Sequence, residues 1–219
     1  MTGDTPRPSL PRRDYRGAPE LRRRDLAVDW HTQFARWFAD AVAAGLPEPN
    51  AMVLATADVD GRPSTRTVLM KGYDETGIVF FTNYRSRKGA EATDNPSVSL
   101  LFPWFAMSRQ VEVRGVVAPV PRAQTEAYFA TRPRGSQLGA WASPQSRVVP
   151  DRAAVDAGLA AARRRFPEST VVPPPPHWGG LRVTPWTVEF WQGRADRLHD
   201  RLRYRRDAGG GWSIERIAP

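Results

Sequence analysis

Residues 51–82, AMVLATADVDGRPSTRTVLMKGYDETGIVFFT, decide the fold. The apolar run Ala51–Ala57 meets Asp60-Gly61, a hairpin dipeptide, and Ser64–Lys71 answers as the returning strand. Asp74–Gly77 turns the chain again, into Ile78–Thr82. Three strands joined by tight turns predict an antiparallel meander, because a parallel neighbour needs a crossover of a dozen or more residues. Neither GxGxxG nor a Walker-type glycine loop occurs, so the sequence does not support a dinucleotide-binding βαβ unit.

On the amino-terminal side, Trp30, Phe34, Trp37, Phe38, Ala41 and Val42 recur at helical spacing between Asp29 and Ala44, and Gly45 with Pro47 supplies a stop. That is an amphipathic helix whose aromatics face a core. On the carboxyl side, Asn83–Gly89 is a polar loop opening a short helix that ends near Asn95-Pro96. Arg87 and Lys88 at its start read either as a phosphate cradle or as a solvated charge pair. Ser97–Trp104 and Arg109–Val120 are two further strands, the second with Gln110, Glu112 and Arg114 on one face and Val111 and Val113 on the other.

Arg122–Thr131 reads as a short helix carrying Tyr128. The segment RPRGSQLGAWASPQS, 132–146, sets Arg132, Arg134, Ser136, Gln137, Gln145 and Ser146 among small residues and reads as a binding loop. Asp151–Phe166 is a second long helix, with Arg163–Arg165 where positive charge meets the negative end of the helix dipole. After the stiff run Pro173–Pro176, strands are expected at Leu181–Thr184, Thr187–Trp191, Arg197–Arg205 and Trp212–Ile217. The fold class is mainly antiparallel β with flanking helices, α+β: one domain over 25–219, preceded by a Pro- and Arg-rich arm over 1–24.

Composition narrows the chemistry. The chain lacks cysteine, which removes disulfides, thiolate nucleophiles and Cys-ligated metals. His31, His177 and His199 show no metal-ligand spacing, so no metal site is expected. The amino terminus has no apolar stretch behind its charges, and no run approaches the ~20 apolar residues that span a bilayer; a cytoplasmic protein without a membrane partner is expected. The net charge of +9 fits nucleic acid or phosphorylated small molecules. The basic runs Arg22–Arg24, Arg163–Arg165 and Arg203–Arg206 are scattered, however, and no zinc-finger or RNP-type pattern accompanies them.

In EFWQGRADRLHDR, 189–201, Arg197, His199 and Arg201 recur at every second residue. On a strand they share one face, with Leu198 and Leu202 turned into a core. That face reads either as a cationic wall around a small anionic substrate or as a solvated, charged edge strand.

Together these segments resemble the pyridoxamine (pyridoxine) 5′-phosphate oxidase family. The motifs are RTVLMK (66–71), FFTNYRSRKG (80–89), NPSVSLLFPW (95–104), RQVEVRG (109–115), YFATRPRGSQLGAWASPQS (128–146), WGG (178–180), EFWQG (189–193), RLHDR (197–201) and the terminal ERIAP. The resemblance implies an FMN-binding split β-barrel, working as a homodimer with FMN at the subunit interface. It places the flavin on Arg66, Thr67, Val68, Leu69, Met70, Lys71, Phe81, Thr82, Arg87, Lys88, Gln110, Gln145, Ser146, Trp191 and Arg201. It places the substrate phosphate on Lys71, Tyr128, Arg132 and Ser136, and the pyridine ring near Arg197, Leu198 and His199, with Arg197 and His199 as the catalytic pair. Arg12, Arg13, Asp14 and Tyr15 match an arm segment that covers the pocket. The implied reaction oxidises C4′ of pyridoxamine or pyridoxine 5′-phosphate by hydride transfer to the flavin, with O2 reduced to H2O2. Phe81 stands where the family often has Tyr, and Thr131 where it commonly has Ser. The alternatives that the same barrel allows are a related flavin oxidase of phenazine-type biosynthesis, or a flavin-binding barrel with another substrate.

Overall fold

The computed structural model describes residues 15–219; Arg12, Arg13 and Asp14 of the expected arm lie outside them. The meander forms as the turns demand. Strands β1 (Ala51–Ala57), β2 (Pro63–Asp74) and β3 (Gly77–Asn83) pair antiparallel in succession. Asp58 fixes the first turn by accepting the backbone N–H groups of Asp60 and Arg62. Helix α2 (Arg87–Asp94) follows, then β4 (Ser97–Trp104) and β5 (Arg109–Pro119). The helix before them, α1 (Trp30–Ala43), is capped by Asp29, whose carboxylate accepts from Thr32 N–H at 2.7 Å.

Where two short strands were expected, one runs unbroken: β6 spans Trp178–Gln192. A bulge opposite Arg114/Gly115 absorbs Trp186, and this irregularity is what divides the apolar pattern in the sequence. Strand β6 pairs with β5 along its length, with β3 through 178–183 and with β7 (Asp200–Arg206) through 187–192. The β3–β6 pairing closes six strands into a barrel, and β7 and β8 (Trp212–Arg216) extend the sheet beyond it.

Alternation fills the barrel. Met52 and Leu54 of β1, Leu100 and Phe102 of β4, Val111 and Val113 of β5, and Val188 and Phe190 of β6 are all buried inside. Helix α1 closes one end with Trp30, Phe34 and Trp37; Val42, expected on the same face, is exposed because it lies past the stripe that meets the sheet. Residues ahead of α1 pack against the barrel as well: Leu21 is buried and donates its N–H to Asp200 at 3.1 Å.

The segment read as a binding loop over 132–146 is instead helical through α4 (Arg134–Ala142), after α3 (Arg122–Ala130). Pro133 is the reason, since its fixed φ suits a helix entry, and Arg134 crosses to cap the carbonyls of Phe166, Pro167 and Thr170. Helices α3, α4 and α5 (Arg152–Arg165) form a second apolar cluster with Trp178, built on Phe129, Leu138 and Phe166.

Phe190 sits at the barrel centre, fully buried between Trp37 (5.1 Å between rings) and Tyr204 (5.7 Å). We expect Phe190→Ala to lower unfolding stability by about 3–5 kcal/mol in a denaturant titration. A loss under about 1 kcal/mol would show that this contact does not organise the core.

Candidate active site

A cavity of about 520 Å³ opens where β2, β3, α2 and the α3–α4 corner converge at the Trp178 end of β6. Strand β2 contributes Thr67, Val68, Leu69 and Lys71, and β3 contributes Phe81, Thr82 and Asn83. Lys71 sits within the register shift between Met70 and Gly72, which releases it from regular pairing with β3. Tyr128, Arg132 and Ser136 enter from the helical corner, Lys88 from α2, and Gln145 from the segment after α4. Met70, between these, is buried in the barrel core, so its side chain does not reach the cavity.

The cavity has a flat aromatic wall. Phe81 stacks on Tyr128 with ring centres 4.0 Å apart, and Trp178 continues the stack 5.5 Å from Phe81. Gly180 makes the wall possible, because a Cβ there would stand 2.8 Å from the Phe81 ring; its N–H is held by Thr125 and its carbonyl by the Tyr84 hydroxyl. The Arg132 guanidinium lies 4.6 Å over Trp178 and 5.4 Å from Phe129. Its Nη1 is buried without a hydrogen-bond partner among the described residues, and burial lowers the Arg132 pKa. An uncompensated buried donor costs about 1–3 kcal/mol, more when charged, so this atom is poised for an anion.

The second cationic group surrounds the start of α2. Ser86 caps the helix, and its hydroxyl also accepts from Lys88 Nζ at 3.2 Å. Burial first, then the nearby Arg66, push the Lys88 pKa down, while Glu91 raises it. Arg66 reaches from β2 to the Leu54 carbonyl at 3.3 Å and to Glu91 at 3.2 Å. Arg87 donates to the other oxygen of Glu91 at 3.0 Å, and with Ser146 it lines an adjoining cavity of about 410 Å³ together with Arg85 and Arg147.

The remaining candidates assemble elsewhere. Gln110, Trp191 and Arg201 are direct cross-strand partners on β5, β6 and β7, so they form one rung on one sheet face. Arg201 grips Glu189 with two bonds, at 2.6 and 3.1 Å, and that carboxylate raises its pKa. His199 lies against Trp191 (4.6 Å between rings), and Tyr15 meets both rings edge-on at 5.9 and 5.6 Å. Gly193 admits this packing, since a Cβ there would fall 2.7 Å from the Tyr15 ring.

The continuous strand expected from Arg197 is not formed. Residues 195–197 make a 3₁₀ turn in which Asp196 and Arg197 have positive φ, 56° and 62°, and β7 begins only at Asp200. Alternation therefore fails: Leu198, expected to point into a core, is 69% exposed, whereas Leu202 is buried as expected. Arg197 is exposed on the turn, and His199 is folded back so that its Nδ1 accepts the Arg194 N–H at 3.1 Å. That bond leaves the ring proton on Nε2.

The two groups do not converge within one chain. Trp178 borders the cavity and Trp191 carries the rung, at opposite ends of β6 and roughly 40 Å apart along the strand. Sequence reading missed Trp178 as a wall of the site, and missed Glu91 and Glu189, the carboxylates that hold Arg66, Arg87 and Arg201. Glu91 could have been found four residues after Arg87 on a helix; the other two need the strand register.

A closed six-stranded barrel with a cationic cavity at its wall defines a split-barrel protein. The family model described as pyridoxamine 5′-phosphate oxidase matches residues 38–164, and that of the pyridoxine 5′-phosphate oxidase C-terminal dimerisation region matches 178–219. The chain is 59% identical to the pyridoxine/pyridoxamine 5′-phosphate oxidase of Salinispora arenicola, over 100% of this chain and 99% of the relative. It is 55% identical to that of Streptomyces avermitilis, over 97% and 96%. Among solved structures, PhzG from Burkholderia lata in complex with tetrahydrophenazine-1-carboxylic acid has a TM-score of 0.83 at 34% identity, covering 90% of this chain and 95% of that one. An FMN-binding protein from Nostoc punctiforme shares the fold, with a TM-score of 0.68 at 20% identity, covering 85% and 97%. The chain belongs to the pyridoxamine 5′-phosphate oxidase family.

Burial first and then the Arg197 charge lower the His199 pKa below its usual 6.5, which favours the neutral ring. In an NMR pH titration, His199 is expected to titrate below 6.5, and Arg197→Ala to move that midpoint upward. A midpoint at or above 6.5 in the parent protein contradicts this environment.

Proposed function

We propose that this chain is an FMN-dependent oxidase that converts pyridoxamine 5′-phosphate and pyridoxine 5′-phosphate to pyridoxal 5′-phosphate. The observation that carries the reading is Arg132: a half-buried guanidinium whose Nη1 is buried with no hydrogen-bond partner among the described residues, in a cavity it shares with Lys71, Tyr128 and Ser136. Cationic and hydroxyl donors beside a flat aromatic wall suit a phosphorylated aromatic ring. The cradle of Arg66, Arg87 and Lys88 suits a second phosphate, that of the flavin, with Thr67–Lys71, Phe81, Thr82, Gln145 and Ser146 along its length.

FMN held by these residues would supply the redox chemistry, hydride removal from substrate C4′ with O2 reduced to H2O2; with the amine substrate, water would hydrolyse the resulting imine and release ammonia. The chain supplies position and charge. Lys71, Tyr128, Arg132 and Ser136 hold the substrate phosphate, and Arg197 with His199 orients the pyridine ring. Because His199 Nδ1 is engaged by the Arg194 N–H, Nε2 is presented as a hydrogen-bond donor. Gln110, Trp191 and Arg201 complete the flavin site from the second subunit, since the two clusters lie at opposite ends of β6 in one chain. The match of residues 178–219 to a dimerisation region supports a two-fold assembly with FMN at the interface. Residues 12–15 act as the cover, with Tyr15 already against His199.

A phenazine-type substrate is the second reading, favoured by the likeness to PhzG. A ring carboxylate would pair with Arg132 alone, whereas a phosphate dianion would also engage Lys71 and the Tyr128 and Ser136 hydroxyls of the same cavity, which favours the B6 phosphates.

The purified protein is expected to be yellow, with flavin bound, and to consume oxygen with either B6 phosphate. A colourless protein that FMN does not reconstitute contradicts the cofactor; flavin without turnover contradicts the substrate. Arg197→Ala is expected to lower kcat/KM at least about tenfold with flavin retained. Arg201→Ala is expected to shed flavin, and also to destabilise the fold because Glu189 is left buried and unpaired. Equal flavin loss in both would contradict the separate roles.

A further inference from the structure

Glu91 is a carboxylate 7% exposed, among residues that the reading above assigns to the flavin phosphate. One oxygen accepts from Ser64 at 2.5 Å, from Thr56, and from Arg66 at 3.2 Å; the other accepts from Arg87 at 3.0 Å. Its partners come from β1, β2 and α2, so this side chain ties the helix that carries Arg87 and Lys88 to the strand that carries Arg66. Charge makes the tie necessary. Three cations crowd together here, and Arg66 already presses the Lys88 pKa down. The Glu91 pKa, by contrast, is lowered to about 2 by its donors against the cost of burial, so it stays ionised. Glu91 thus offsets part of a strongly cationic region, in which Arg85 and Arg147 also stand beside Arg87.

We propose that Glu91 is a positioning residue for phosphate recognition: it holds Arg66 and Arg87 in a fixed pair, one on each carboxylate oxygen. The inference rests on the FMN reading. It makes a prediction opposite in sign to simple electrostatics. Glu91→Gln adds a net positive charge, which by Coulomb attraction alone would tighten an anion. The amide, however, presents a donor where Arg87 or Arg66 needs an acceptor, so one guanidinium is released.

The test compares FMN with riboflavin, which lacks the phosphate, by flavin fluorescence titration of the full-length apoprotein. The parent protein is expected to prefer FMN. In Glu91→Gln that preference falls by about tenfold or more, with riboflavin affinity within about twofold of the parent. Should Glu91→Gln not fold, Ser64→Ala removes one donor to the same oxygen and is expected to lower the preference by a smaller factor, about threefold. An unchanged or increased preference for FMN, or equal losses for the two flavins, overturns the positioning role. A parent protein with no preference for FMN overturns the cofactor reading itself, and the two failures are thereby distinguished.

Discussion

Strand β6 is the constraint on which the rest depends. It pairs with β5 along its length, with β3 at one end and with β7 at the other, so it both closes the barrel and carries the sheet beyond it. Its inward residues Val183, Val188 and Phe190 are fully buried. Its two ends carry Trp178 and Trp191, each beside one cluster of the proposed site residues. A slip of one residue would exchange the buried and exposed sets and scatter both clusters at once.

Charge is the second organising constraint. Each proposed flavin arginine that the fold half-buries is paired with a carboxylate: Arg66 with Glu91, which Arg87 shares, and Arg201 with Glu189. These pairs keep the cations fixed at modest net cost, because a buried charge without a partner is strongly destabilising. Arg132 departs from that pattern. Aromatic faces hold it in place, and its Nη1 has no hydrogen-bond partner among the described residues. The difference separates groups arranged for support from a group arranged for an incoming anion.

Much of this was legible in the sequence, for identifiable reasons. The meander, α1, α2, α5 and the alternation of β5 follow from local period and turn chemistry, and the structure forms each within a few residues. Besides the two strands that form one continuous β6 and the exposed Val42, two readings failed where tertiary context outweighed local pattern. The 132–146 segment looked like a polar loop because its helix, α4, is short and rich in glycine, and is held by Arg134 contacts to residues more than 30 positions away. The alternation read into Arg197–Arg201 broke because Asp196 and Arg197 adopt left-handed backbone, which residue type does not announce. The family motifs named most side chains lining the cavity, but they could not show that Gln110, Trp191 and Arg201 stand as one rung away from it.

The central claim is that two copies of the chain complete each site, one giving the cavity and the other the Trp191 rung with Arg197 and His199. The most direct measurement is complementation between Arg132→Ala and Arg197→Ala, co-expressed with different tags and purified as the mixed dimer. Each parent variant damages every site, whereas the mixed dimer holds one intact site and one doubly damaged site. The account predicts about half of the unmodified enzyme's turnover in the mixed dimer. A mixed dimer no more active than either parent variant would contradict it.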